Sequence, residues 1–204
     1  YDDEAVKEAC IQEIIRRFII AKCDYKKGYI SESALERSEL LMKEVNAKEE
    51  DRKVVNEARE YAEYKRSLDA KYANAVVMAL EMPDGSIVTG RSSRRMVAAA
   101  AAVLNGIKRL AGIDDEKYVI APNVFKDIQD LKTDVLNHDR TSLNLEEILI
   151  ALSISAESNP CAKKATEMLT SLKGCKAHCT AILSERDEQT LRSMGIDVTC
   201  DPEY

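Results

Sequence analysis

Apolar residues recur every three or four positions along the first third of the chain, the spacing of amphipathic helices. Val6, Cys10, Ile11, Ile14, Ile15, Phe18 and Ile19 form the first stripe, and Gly28 closes it. Leu35, Leu41, Met42 and Val45 give a second helix its apolar face, which Asn46 ends. Ser31 or Ser33 is expected to cap this helix, Ser33 with Glu36 as a capping box. Glu49, Glu50 and Asp51 then place negative charge in the first turn of a third helix, where the helix dipole favours it. Val54, Ala58, Tyr61, Lys65, Leu68 and Tyr72 run along one of its faces. Three helices with short connections predict a small antiparallel helical unit over residues 1–72.

The period changes after that. Residues 75–82 are a nearly continuous apolar run, followed by the turn Pro83-Asp84-Gly85-Ser86 and a second strand at 87–90. Ser92 or Ser93 is expected to cap the next helix, which holds Met96, Val97, five consecutive alanines at 98–102, Val103, Leu104, Ile107 and Leu110. A helix apolar nearly all round is buried on most sides, and Gly112 stops this one. A short strand at 118–121 and a helix at 124–136 follow. After a polar loop, Asn144 with Glu147 caps a helix to about 156, and Asn159-Pro160 starts another that reaches 173. The chain closes with a strand at 177–183, a helix at 185–194 capped by Ser184, and a strand at 196–200. The order β-β-α-β-α-α-β-α-β over 73–204 predicts a three-layer α/β sandwich. Its last two strands should be parallel and joined by a right-handed crossover.

Composition narrows the function. With no Trp and two Phe, the core must be filled by Ile, Leu, Val and Ala. A net charge of −6 argues against a nucleic-acid protein. Lys26-Lys27, Arg94-Arg95 and Lys163-Lys164 are isolated pairs that read as solvated helix ends. Six scattered cysteines without a signal peptide are expected to be free thiols in the cytoplasm. No apolar run approaches the ~20 residues of a membrane helix. Tyr1-Asp2-Asp3-Glu4 shows neither an initiator Met nor a targeting pattern, so the chain is expected to be a piece of something longer.

Ser92, Ser93 and Arg94, at a strand-to-helix junction, are the strongest candidates for holding a small anion through hydroxyls, a guanidinium and free backbone N–H groups. The alternative is a capped helix with exposed arginines. Cys161, in a helix's first turn near Lys163 and Lys164, is a candidate reactive thiol, although no histidine lies near it in sequence. Cys175, His178, Cys179 and Cys200 are zinc-ligand types. Adjacent strand residues face opposite ways, however, so His178 and Cys179 should not share an ion, and no metal site is expected. His178 and Asp201 remain as pocket candidates near the carboxyl ends of strands, where α/β sheets gather ligands.

Hairpin, buried helix, then alternating strand and helix is similar to the cytidine-deaminase-like plan. Zinc enzymes of that plan need a His or Cys two residues before a Glu, then Pro-Cys-x-x-Cys. Here the alanine helix offers neither ligand nor acid in its first half, and Pro160-Cys161 continues as Ala162-Lys163-Lys164-Ala165. The expected fold is therefore deaminase-like without zinc, preceded by a helical unit.

Whole words carry a closer resemblance: KEACIQEIIRR from Lys7, KEEDRKVV from Lys48, LEMPDGSIVTGRSS from Leu80, AAVLNGIK from Ala101, EEILIALSIS from Glu146, LKGCKAH from Leu172 and GIDVTCDPEY from Gly195. They resemble the C-terminal portion of a bacterial family described as domain of unknown function 1846, or uncharacterised protein family 0371. The resemblance implies a longer protein whose N-terminal portion carries a phosphate-loop-like glycine-rich segment, and it brings no catalytic residue. No self-sufficient catalytic constellation and no cofactor are expected within these residues; a nucleotide would belong to the longer protein. The expected function is a region of a cytoplasmic bacterial enzyme that binds a small anionic or nucleotide-like ligand at a helix N-terminus. The alternative is a module for oligomerisation or for docking the N-terminal portion. The expected partners are that portion and further copies of the chain, with neither nucleic acid nor membrane.

Overall fold

The computed structural model describes residues 3–204, so Tyr1 and Asp2 lie outside the described residues. Two antiparallel helices come first, α1 (Asp3–Lys26) and α2 (Glu32–Glu44). They close around Ile15, Ile19 and Met42, with Val55 from the next helix. Gly28 (φ +77°) and Asn46 (φ +53°) take the left-handed conformation that ends each helix. Ser31 is the N-cap residue of α2 but makes no side-chain cap bond, and Ser33 lies inside the helix. The Ser33–Glu36 capping box therefore does not form. A 3-10 turn (Glu49–Asp51) leads into α3 (Lys53–Leu68), whose Val54 and Ala58 pack on Ala79 and Ile87 of the sheet.

The four-stranded mixed sheet has the order β2-β1-β3-β4: β1 (Val77–Glu81), β2 (Ile87–Arg91), β3 (Lys176–Cys179) and β4 (Asp197–Cys200). β1 pairs antiparallel with both β2 and β3, while β3 and β4 are parallel, as the sequence predicts for the last crossover. Met78 and Leu80 point into the main core with α4 (Ala98–Leu110), and Ala79 points to the opposite face, against α3. Helices thus cover both faces. The main core also takes in α5 (Pro122–Asp130), α6 (Leu145–Ser155), α7 (Pro160–Glu167) and α8 (Glu185–Ser193). Asn144 and Glu147 form the capping box on α6, Asn159 caps α7 and Ser184 caps α8, each as the sequence predicts.

Glu49–Asp51 form a 3-10 turn of their own, so α3, which starts at Lys53, has no acidic residue in its first turn, and two further local expectations are corrected. Residues 118–121 form no strand. Val119 and Ile120 are both buried, but among the described residues they pair with no strand. Tyr118 O accepts from Asn159 Nδ2 (3.0 Å), and Pro122 already begins α5. Neither Ser92 nor Ser93 caps α4, which starts six and five residues beyond them, at Ala98, with Val97 as N-cap residue and no side-chain bond. The intervening segment runs instead beside Leu143. Leu143 N donates to Arg95 O and Val97 N donates to Leu143 O, a parallel bridge that needs extended backbone.

Candidate functional site

The residues expected to bind an anion are put to other uses. Ser92 Oγ accepts from Val76 N (3.0 Å), extending the β1–β2 ladder by one rung. Ser93 Oγ accepts from Arg95 N and Met96 N, closing a tight turn. Arg94 is exposed, and its carbonyl accepts from Gln129 Nε2 at 2.9 Å. The three residues therefore do not converge around a helix N-terminus.

A cavity of 390 Å³ lies beside them, between the outer edge of β2, one flank of α4 and residues 115–125. Ser93 lines it; Ser92 and Arg94 do not. Arg91, Arg95, Lys108 and Lys117 bring four cations to its wall against one carboxylate, Asp115. Arg91 stacks on Tyr72, its guanidinium carbon 4.3 Å from the ring centroid, which holds the fork in place. Lys117 pairs with Asp114 at 3.3 Å.

Lys108 is the unusual member. It is 9% exposed, and its Nζ donates to the backbone carbonyl of Asp115 at 2.7 Å. Among the described residues no carboxylate lies within ion-pair distance of it, whereas the other two buried cations each have one. Arg52 meets Asp197 at 3.0 Å and Lys132 meets Glu147 at 2.8 Å. Its stem is packed in the helix flank, while its ammonium faces the cavity without an ion-pair partner among the described residues. Lys108 has three N–H donors, of which the Asp115 carbonyl takes one. Sequence spacing gave no sign of this site: Lys108 follows Ile107 in a mostly apolar helix, and a loop folded over it meets its ammonium with a carbonyl instead of a carboxylate.

His178 and Asp201 do come together. His178 Nε2 lies 3.3 Å from Asp201 Oδ1, and its Nδ1 is 2.9 Å from Thr199 Oγ1. Asp201 also accepts from Arg59 of α3, which reaches Glu49, and Glu49 pairs with Lys22 of α1 at 2.6 Å. A chain of charges thus links the first helix to the sheet. Burial holds the His178 imidazole below its usual range, more strongly than Asp201 raises it. Burial works against the Asp201 carboxylate, but the His178 imidazole 3.3 Å away and the hydrogen bonds from Arg59 outweigh it and hold that carboxyl well below the usual range. Both residues are packed between α3 and the sheet, and neither lines the 390 Å³ cavity.

Cys161 sits in the first turn of α7, its N–H donating to Asn159 Oδ1 and its side chain partly packed on the main core. Cys23, Cys179 and Cys200 lie close together, with Cys23 Sγ donating to Cys200 O at 3.0 Å. Burial pushes Cys23 up to about 11 and Cys179 up to about 12. All six cysteines are free. Among the described residues no group of three or more His, Cys, Asp or Glu is placed to hold a metal ion, and no helix is long and apolar enough to cross a membrane.

Comparison with known proteins adds the family. The model of "Domain of unknown function DUF1846, C-terminal" matches residues 50–204, and that of the same family's N-terminal domain matches residues 1–46. A UPF0371 protein of Clostridium botulinum (strain Langeland) is 53% identical over 203 residues, covering 100% of this chain and 40% of the relative. One from Clostridium tetani is 51% identical with the same coverage. The chain therefore spans about 40% of the length of the curated relatives it matches.

Proposed function

The chain belongs to the DUF1846 family as a partial region of a longer bacterial protein, and from that premise we propose that it supplies the protein with a binding site for a small anion. The site is the cavity walled by Arg91, Ser93, Arg95, Lys108 and Lys117. The observation that carries this reading is Lys108, a lysine only 9% exposed whose ammonium lines the cavity and meets a carbonyl but no carboxylate. An anion beside it would supply the missing countercharge, and the Arg91 and Arg95 forks suit a phosphate or carboxylate group. Ser92 and Arg94 act one step back, holding the turn that presents Ser93 and Arg95. In this reading residues 1–72 are the helical subdomain and 73–204 the α/β subdomain. The hairpin leading into α4 supports a deaminase-like topology without zinc, and the free cysteines support a reducing cytoplasm.

The test is thermal unfolding of the chain with sodium phosphate, pyrophosphate and citrate against sodium chloride of equal ionic strength. A rise in Tm with at least one of the three anions, lost in Lys108→Met, is the expected result. No rise with any of them overturns the reading.

One observation favours a second role, docking of the N-terminal portion. The first turns of α1 are exposed throughout, including Val6 (54%), and α2 exposes Leu40 and Leu41. Mixing the chain with the separately expressed N-terminal remainder of the Clostridium tetani relative should give a stable complex that Val6→Glu weakens. Sedimentation of the chain alone reports whether copies self-associate, and absence of both complexes removes this role.

A further inference from the structure

The cavity that holds Lys108 also has walls that a bare anion would leave wet. Met96, Leu104, Val119, Ile120 and Phe125 line it, and so do Tyr61 and Tyr118. Tyr118 is 61% exposed, yet its backbone is fixed, because its carbonyl accepts from Asn159 at the start of α7. A tyrosine on a fixed backbone turns about only two side-chain torsions, so it loses little freedom when a flat ligand stacks on it, and base–aromatic stacking does not depend on base identity. Tyr61 is likewise held, its ring 6.4 Å from that of Tyr64 and 5.0 Å from Lys65 Nζ. Asn105 spends its Nδ2 on Thr89 O (2.8 Å), which leaves its carbonyl oxygen as an acceptor in the same wall. The volume of 390 Å³ falls in the range of about 300–1,000 Å³ filled by small organic ligands and far exceeds an inorganic anion.

Resting on the anion-binding reading above, we infer that the ligand joins its anionic group to a flat ring, as a nucleoside monophosphate does. The phosphate meets Lys108 and the arginines, and the ring covers Tyr118 and the apolar wall. A phosphorylated sugar satisfies the cations but has no face to stack. A nucleoside has the face but leaves Lys108 uncompensated.

Isothermal titration of the whole chain with AMP, GMP and UMP, alongside adenosine, ribose 5-phosphate and sodium phosphate, separates these cases. The expected result is that at least one monophosphate binds about tenfold more tightly than ribose 5-phosphate, the scale of one stacked base, and that adenosine binds more weakly than AMP. Tyr118→Ala should bring AMP down to the affinity of ribose 5-phosphate without changing the latter, and Tyr118→Phe should keep the difference. Equal affinity for the monophosphates and ribose 5-phosphate overturns the ring and leaves the anion reading standing. Adenosine binding as tightly as AMP, or no binding by any phosphate compound, overturns both. Tyr118 is exposed enough that its truncation leaves the fold intact, which circular dichroism verifies.

Discussion

Gly90 of β2 lies directly beneath the backbone of Ala102 in α4, so close that a Cβ built on the glycine would overlap the Ala102 backbone nitrogen and the Ala101 carbonyl carbon. Strand and helix touch main chain to main chain. The alanine run is the other half of this contact, because only a helix face of methyl groups lets the backbone approach a strand so nearly. Gly90→Ala cannot be absorbed by a side chain moving aside. It is expected to cost about 3 kcal/mol or more, the upper end of core overpacking. Gly85→Ala, in open space at φ +77°, should cost about 1–2 kcal/mol through backbone strain alone. Urea unfolding of the two variants checks the order.

Acid stability should begin to fall near the ordinary histidine pKa. The folded state holds His178 below 6.5, so between that folded value and 6.5 the unfolded chain binds more protons. Stability therefore rises with pH through this window and is lost as pH falls below 6.5. Asp201, whose carboxyl is also depressed, adds its own loss only below about 4. In His178→Gln the slope between pH 6.5 and 5 should flatten while the loss below 4 remains. An unchanged slope would assign it elsewhere.

Removing one end of the charge chain should cost more than removing a surface pair. Asp201→Asn leaves Arg59 with Glu49 and Glu50 but without its partner just beyond β4, and a loss of about 3 kcal/mol is expected. Lys43→Ala, which removes an exposed pair with Glu39 at 2.9 Å, should cost under about 0.5 kcal/mol. Chemical denaturation of both variants gives the comparison.

Thiol chemistry should divide by burial. Cys10 is exposed and Cys161 half-buried, while Cys23 and Cys179 are buried and held as thiols by their high pKa values. Iodoacetamide at pH 8 followed by mass spectrometry is expected to label Cys10 first and Cys161 next, with Cys23, Cys179 and Cys200 reacting only in denaturant. Labelling of Cys179 in the folded protein would show that β3 opens.

The inner part of each amphipathic stripe (Ile15 and Ile19, Met42, Val54 and Ala58), the hairpin turn at Gly85, the capping box Asn144–Glu147 and the Pro160 helix start were legible from the chain, because each depends on residues a few positions apart, whereas Val6, Cys10, Leu41 and Leu68 of the same stripes are exposed. The sequence also made plain that the alanine helix could carry no zinc ligand, since five methyl groups coordinate nothing. It misplaced the start of that helix. Ser92 is a good cap residue, but Val76 claims its hydroxyl and Leu143 holds residues 95–97 extended, and both partners are distant in sequence. The same limit applied to the charges. Local spacing drew attention to Arg94, a cation whose neighbours are obvious, and passed over Lys108. Whether a lysine is paired depends on what folds across it, and here a loop brought a carbonyl where the other buried cations met carboxylates. Local hydrogen bonding and periodicity are properties of the sequence. Countercharge and burial are properties of the packed chain, so the alanine run was visible from the start, while the glycine beneath it and the unpaired ammonium two turns along it were decided by tertiary structure alone.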